Sequence, residues 1–117
     1  LIKSAEMIAG EAKKVLAVSL LPGESPDAFE AKVNDIMGKI DNEDTLILID
    51  IFSGTPYNIT ARQVLKENVE CVTGVNLPML IEAILSRDSF TVKELAEFIS
   101  QSGTDSIKYL KPLLTGK

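Results

Sequence analysis

The sequence predicts a three-layer α/β/α domain built on a doubly wound, mostly parallel sheet. Two observations support this prediction. Helical and strand-like segments alternate along the chain, which is the order that consecutive βαβ units produce. In addition, the strand-like run at residues 46–49 is apolar at every position, as expected of a strand that helices cover on both faces.

The first half of the chain predicts two helices and one strand. Apolar residues recur at helical spacing in the opening segment, namely Ile2, Ala5, Ile8 and Ala9. A strand-like run at residues 15–21 follows and is closed by Pro22 and Gly23. Ser25 and Pro26 then supply an N-cap and a first-turn proline, which indicate the start of the second helix.

The second half continues the alternation beyond the strand at residues 46–49. Thr55 and Pro56 are expected to open a helix as its N-cap and first residue, and this helix runs to about Glu67. A strand is predicted at residues 70–75, and a further helix begins after Asn76. Residues 91–94 read as a capping box that opens a long helix, with a bend expected at Gly103.

We expect residues 1–117 to form a single domain that is incomplete at its amino terminus. The opening helix has no Ser, Thr, Asp or Asn before it to act as a cap. It also has no strand before it, although a doubly wound sheet would place one there. The first strand of the sheet is therefore expected upstream of Leu1.

Composition excludes several classes of function. A net charge of −5 and a pI near 4.7 disfavour nucleic acid as a partner, and the apolar runs are shorter than the roughly 20 residues of a membrane-spanning helix. The single cysteine, Cys71, cannot form an internal disulfide and suits a reduced, cytoplasmic setting as a core residue. No nucleotide-binding or zinc motif occurs, so we expect no cofactor and no metal. The absence of histidine excludes a Ser-His-Asp triad within these residues.

A candidate site lies where the strand at residues 46–49 ends. Asp50 follows that strand, Gly54 lies in the turn, and Thr55 opens the next helix, so an anion such as phosphate is expected here. Asp50 is either a turn-forming acid or a charge-stabilising carboxylate. Phe52 either covers the core or forms an apolar wall of the site, and Asn76 is either a plain N-cap or a second border of it.

Two segments resemble a known family. Residues 50–58, Asp-Ile-Phe-Ser-Gly-Thr-Pro-Tyr-Asn, and residues 74–83, Gly-Val-Asn-Leu-Pro-Met-Leu-Ile-Glu-Ala, together resemble the enzyme IIA domain of the mannose-type (mannose/fructose/sorbose) phosphoenolpyruvate-dependent sugar phosphotransferase system. The resemblance extends in order over nearly the whole chain, including residues 3–10 and 21–24.

The resemblance implies a phosphoryl carrier that acts in the cytoplasm, usually as a homodimer. A histidine would take a phosphoryl group from the carrier protein HPr and pass it to the IIB component, which phosphorylates sugar during uptake through a membrane IIC/IID complex. Asp50 matches the carboxylate that hydrogen-bonds the histidine ring, and Thr55 matches the hydroxyl beside the phosphoryl group. Phosphoryl or partner binding is assigned to four further residues, Phe52, Ser53, Gly54 and Asn76.

These 117 residues contain no histidine, which departs from the family pattern. We expect the phosphoryl-accepting histidine upstream of Leu1. The alternative is a non-catalytic regulatory or partner-binding module that has the same fold.

Overall fold

A computed structural model of the chain describes residues 1–51 and 54–116. The elements in chain order are α1 (Ile2–Ala9), α2 (Pro26–Lys39), β1 (Thr45–Ile49), α3 (Gly54–Gln63), β2 (Val69–Thr73), α4 (Leu77–Ser86), a 3₁₀ turn (Arg87–Ser89), α5 (Val92–Asp105) and α6 (Leu110–Thr115). The predicted alternation of helix and strand is therefore present from α2 to α4, and helical elements alone follow in the described residues.

The two strands of the described residues pair in parallel. Thr45 pairs with Val69, and the register continues without interruption to Ile49 and Thr73. Because the strands are parallel and in register, their carboxyl ends lie side by side at one edge of the sheet. The crossover between the strands is made by α3, as in a βαβ unit.

Helices cover the sheet in two layers, which confirms the predicted α/β/α architecture. On one side, α4 and α5 supply a buried cluster against which strand residues pack; the cluster is Met79, Ala83, Leu95 and Ile99, and the strand residues include Leu46, Leu48 and Val72. The helix α1 packs on α4 and so extends this layer. On the other side, α3 contacts both strands, and α2 contacts α3.

Three helix starts predicted from the sequence are confirmed by their hydrogen bonds. Ser25 Oγ accepts from the backbone N–H of Ala28 at 3.1 Å and so caps α2. Asn76 Oδ1 accepts from the N–H of Met79 at 3.0 Å and caps α4. The capping box of α5 is complete, with Thr91 and Glu94 each bonding the other's backbone N–H. Local side-chain chemistry therefore fixes where these three helices begin.

The strand predicted at residues 15–21 is absent from the structure. These residues have no regular secondary structure and are mostly exposed. A strand needs a neighbour to accept and donate its backbone hydrogen bonds, and β1 and β2 pair only with each other within residues 1–51 and 54–116. The segment instead lies beside α2, where the Lys32 ammonium donates to the carbonyl of Ser19 at 3.2 Å.

Two predicted helices end earlier than expected. The helix α3 ends at Gln63, not near Glu67, because turn bonds from the Lys66 N–H to the Gln63 carbonyl and from the Val69 N–H to the Lys66 carbonyl redirect the chain into β2. The helix α5 ends at Asp105, and Gly103 lies inside its last turn. Residues that continue its apolar pattern are exposed, with Ile107 at 75% and Leu110 at 62%.

Candidate functional site

The carboxyl ends of β1 and β2 form the strand-end corner, which comprises Asp50, the start of α3 at residues 54–55 and the turn at residues 74–76. Ile49 is buried, and the next residue, Asp50, is exposed. The N–H of Val75 donates to the carbonyl of Ile49 at 3.0 Å, so the pairing of the strands continues past the end of β2. This bond places the turn at residues 74–76 directly beside the backbone of Asp50.

Asp50 follows the mostly half-buried strand β1 and is itself exposed. Within residues 1–51 and 54–116, no group hydrogen-bonds this carboxylate. An exposed carboxylate is able to accept a hydrogen bond from an incoming donor such as an imidazole N–H. Both interpretations of Asp50 stay predictions, because the backbone N–H groups that a turn-forming acid at this position would bond lie outside the described residues.

The start of α3 forms the second side of the strand-end corner. Gly54 has a φ of +86°, which a glycine adopts without steric cost and other residues do not. This conformation brings the chain into the helix one residue before Thr55, so the predicted N-cap role of Thr55 is wrong. Thr55 lies half-buried in the first turn, where backbone N–H groups have no helical acceptor and the helix dipole favours an anion.

Asn76 uses its side-chain amide to hold two helices. Besides capping α4, it donates from Nδ2 to the Gly103 carbonyl at 3.2 Å and to Ser106 Oγ at 3.3 Å. Ser106 Oγ in turn donates to the Gly103 carbonyl at 2.7 Å. The structure thus assigns the capping role to Asn76, while a direct part in phosphoryl or partner binding stays a prediction.

The remaining predicted site residues divide between described and undescribed positions. Gly54 lies at the strand-end corner as expected, whereas Phe52 and Ser53 fall outside the described residues. Ser106 was not predicted from the sequence, because its contact with Asn76 joins positions 30 residues apart. Gly103 attracted attention only as a bend, and no local pattern indicates that its carbonyl accepts two bonds.

The described part of the chain offers few groups for metal binding or thiol chemistry. Residues 1–51 and 54–116 contain no group of three or more His, Cys, Asp or Glu side chains placed to hold a metal ion. Cys71 is half-buried in β2, and burial raises the pKa of its thiol, which disfavours the reactive thiolate. Among the helices described, none has the length and apolar content needed to cross a membrane.

The strand-end corner therefore combines three groups that suit an anionic reaction. The carboxylate of Asp50 is able to orient a basic ring and stabilise positive charge on it. The hydroxyl of Thr55 and the backbone N–H groups of Gly54 and Thr55 at the start of α3 are able to donate to phosphoryl oxygens. Both sides of the corner are fixed to the parallel sheet.

Comparison with known proteins agrees with this geometry. Residues 1–100 match the EIIA-man family model, described as the PTS system fructose IIA component. The chain is 36% identical over 114 residues to the mannose-specific EIIAB component of Escherichia coli K12, covering 95% of this chain and 35% of that protein. It is also 35% identical over 95 residues to the fructose-specific EIIA component of Bacillus subtilis, covering 80% of this chain and 65% of that protein.

A solved structure extends the agreement to three dimensions. The mannose/sorbose-specific IIA subunit from Enterococcus faecalis superposes with a TM-score of 0.86 at 31% identity, covering 94% of this chain and 83% of that one. The chain spans about a third of the EIIAB protein that it matches, so the match concerns the IIA part of the system. Sequence and structure together show that the chain belongs to the mannose-type IIA family of the sugar phosphotransferase system.

Proposed function

We propose that the protein is a phosphoryl carrier that takes a phosphoryl group from phosphorylated HPr and passes it to a IIB component. The observation that carries this proposal is the strand-end corner, where Asp50 follows the end of β1 and α3 begins at Gly54, in a member of the IIA family. The transferred group then reaches sugar during uptake through a membrane IIC/IID complex.

In this proposal the acceptor is a histidine upstream of Leu1, since residues 1–117 contain none. Its ring nitrogen forms a bond to phosphorus while the P–N bond of the donor phosphohistidine breaks, and the bonding electron pair returns to the donor ring. The Asp50 carboxylate accepts a hydrogen bond from the other ring nitrogen, which fixes the tautomer and stabilises the charged ring.

The oxygens of the bound phosphoryl group face the start of α3. We propose that the Thr55 hydroxyl and the backbone N–H groups of Gly54 and Thr55 donate hydrogen bonds to these oxygens. We assign Phe52, Ser53 and Gly54 to phosphoryl or partner binding. The conformation of Gly54 supports this arrangement, because a residue without a side chain leaves room for close approach of the ligand.

We further propose that residues 1–117 are a single IIA-like domain of a cytoplasmic homodimer. The names of the relatives, which specify mannose, fructose and sorbose, support sugar uptake as the process served. A second candidate is a non-catalytic module that binds partners of the same system. The observation favouring it is the absence of histidine from these residues.

The deciding experiment is intact-mass analysis of the natural-length protein before and after incubation with phosphoenolpyruvate, enzyme I and HPr. The carrier proposal expects a gain of one phosphoryl group that acid removes, as a phosphohistidine requires. An omission of HPr serves as the control and should abolish the gain. A natural-length protein that gains no mass would instead favour the non-catalytic module.

A further inference from the structure

We propose that Asn76 is a positioning residue, through which the end of α5 holds the turn at residues 74–76 against the backbone of Asp50. The inference deepens the proposed phosphoryl transfer and rests on it for its kinetic consequence. Asn76 itself touches no reacting atom in this proposal. Its effect on transfer passes through the hydrogen bonds described below.

The first step is the attachment of Asn76 to α5. Its Nδ2 reaches both the Gly103 carbonyl, at 3.2 Å, and Ser106 Oγ, at 3.3 Å. Both acceptors lie at the carboxyl end of α5, where carbonyl groups have no partner within the helix. The contact is partly buried, so water competes weakly for these groups. The side chain thus joins the beginning of α4 to the end of α5.

The second step leads from Asn76 to the strand-end corner. Val75, the residue before Asn76, donates its N–H to the Ile49 carbonyl at 3.0 Å. Ile49 is in turn the residue before Asp50. Gly74 has a φ of +75°, a conformation that glycine adopts without steric cost, so the chain turns here between the two attachments. The bond to Ile49 holds one side of the turn, and the Asn76 amide holds the other.

A plain capping role makes a different prediction. Capping uses only Oδ1, which accepts from the Met79 N–H, whereas the bonds to α5 use only Nδ2. A serine at position 76 keeps a capping oxygen and lacks the amide donor. If Asn76 were only a cap, Asn76→Ser would leave the strand-end corner unchanged.

The test compares Asn76→Ser with wild type and with Ser25→Ala in the natural-length protein. Ser25→Ala removes the N-cap of α2, which belongs to the other helical layer, and it therefore controls for general loss of stability. We expect Asn76→Ser to lower the maximal rate of phosphoryl transfer from phosphorylated HPr by roughly tenfold to a hundredfold, with the KM for HPr nearly unchanged. Ser25→Ala should transfer at the wild-type rate.

A second measurement separates this inference from the proposed function. Amide hydrogen exchange of Val75 should be faster in Asn76→Ser than in Ser25→Ala, because the bond to Ile49 opens more often. Unchanged Val75 exchange, or wild-type transfer kinetics in Asn76→Ser, would overturn the inference. If the wild-type protein takes no phosphoryl group, the proposed function fails, and the exchange comparison alone decides whether Asn76 holds the turn.

Discussion

Gly103 of α5 and Met79 of α4 are in such close contact that a Cβ atom at position 103 would lie 2.5 Å from the terminal methyl group of Met79. Both residues are buried, and Met79 is only 4% exposed. Gly103 disfavours the helix by about 1 kcal/mol relative to alanine. Its presence inside α5 is therefore explained by the close packing of α5 on α4.

We expect Gly103→Ala to lower the free energy of unfolding by about 1 kcal/mol. Overpacking against Met79 costs roughly 1–3 kcal/mol, and the gain in helix propensity offsets about 1 kcal/mol of this. Urea unfolding measures the change. In a Met79→Leu background, which lacks the clashing methyl group, the same substitution should cost less. A gain in stability in both backgrounds would contradict the packing argument.

Asp50→Asn should slow phosphoryl transfer by roughly tenfold to a hundredfold in the natural-length protein, because an amide stabilises a charged ring poorly. Its free energy of unfolding should stay within about 0.5 kcal/mol of wild type, since Asp50 is exposed. Rapid-quench transfer from phosphorylated HPr measures the rate. Asp44→Asn is the matched control, as this exposed acid lies just before β1 at the opposite end of the same strand. Equal rates in the two variants would return Asp50 to a structural role.

Thr55→Ala should shorten the lifetime of the phosphorylated protein. A hydrogen bond to a charged group contributes about 1.5–3 kcal/mol, so its loss corresponds to at least a tenfold faster release of phosphate to water. The decay of the phosphoprotein mass over time provides the measurement. Thr55→Ser retains the hydroxyl and should retain most of the lifetime. Identical decay in the alanine and serine variants would show that the hydroxyl is not used.

Gln63→Met should stabilise the protein by about 1 kcal/mol. Gln63 is 8% exposed, and its Oε1 is buried without a hydrogen-bond partner among the described residues, an arrangement that costs roughly 1–3 kcal/mol. Its Nε2 donates to Asn34 Oδ1 at 3.1 Å. Because Asn34 is exposed, water is able to replace this donor in the Gln63→Met variant. Asn34→Ala should act in the opposite direction, because it leaves both amide groups of Gln63 unbonded. Thermal melts of the two variants check the signs.

The capping box of α5 predicts a specific pH dependence. The Thr91 N–H donates to the Glu94 carboxylate and holds the pKa of Glu94 below its ordinary value. The carboxylate therefore contributes stability that is fully present above its unfolded pKa and is lost as the pH falls through its folded pKa. Glu94→Gln keeps a capping acceptor but removes the titrating group, so its free energy of unfolding should depend less on pH in the acid range. Unfolding by urea over an acid pH series, compared with wild type, measures the difference.

Local signals predicted the helix starts well. Ser25, Asn76 and the Thr91 capping box act within three residues of themselves, so their partners are visible in the sequence. The start of α3 was harder to predict than these three, because it depends on the backbone conformation of Gly54. A glycine is able to adopt several conformations, so the sequence does not indicate which one occurs. The strand predicted at residues 15–21 failed for a related reason, since a strand depends on a partner that its own residues do not specify.

The position of the strand-end corner was predicted from the sequence, but the hydrogen bonds that hold its turn in place were not. Asp50 at the end of an apolar run indicated a site because parallel strands place their carboxyl ends together. The bonds from Asn76 to Gly103 and Ser106 cross between helices, and no periodicity encodes them. Sequence patterns therefore predicted where a site would lie, whereas the side-chain hydrogen bonds that hold the neighbouring turn are visible only in the structure.

The parallel register of β1 and β2 also determines when the strand-end corner is able to form during folding. Thr45 and Val69 pair across an intervening helix, so closing this loop costs entropy before the pair contributes any stability. A fragment that ends at Gln63 would contain Asp50 and Thr55 but not the strand that aligns them. During synthesis, the corner has to wait until β2 and the end of α5 have left the ribosome. Proteolysis of a stalled or shortened chain should therefore cut within β1 more readily than it does in the complete fold.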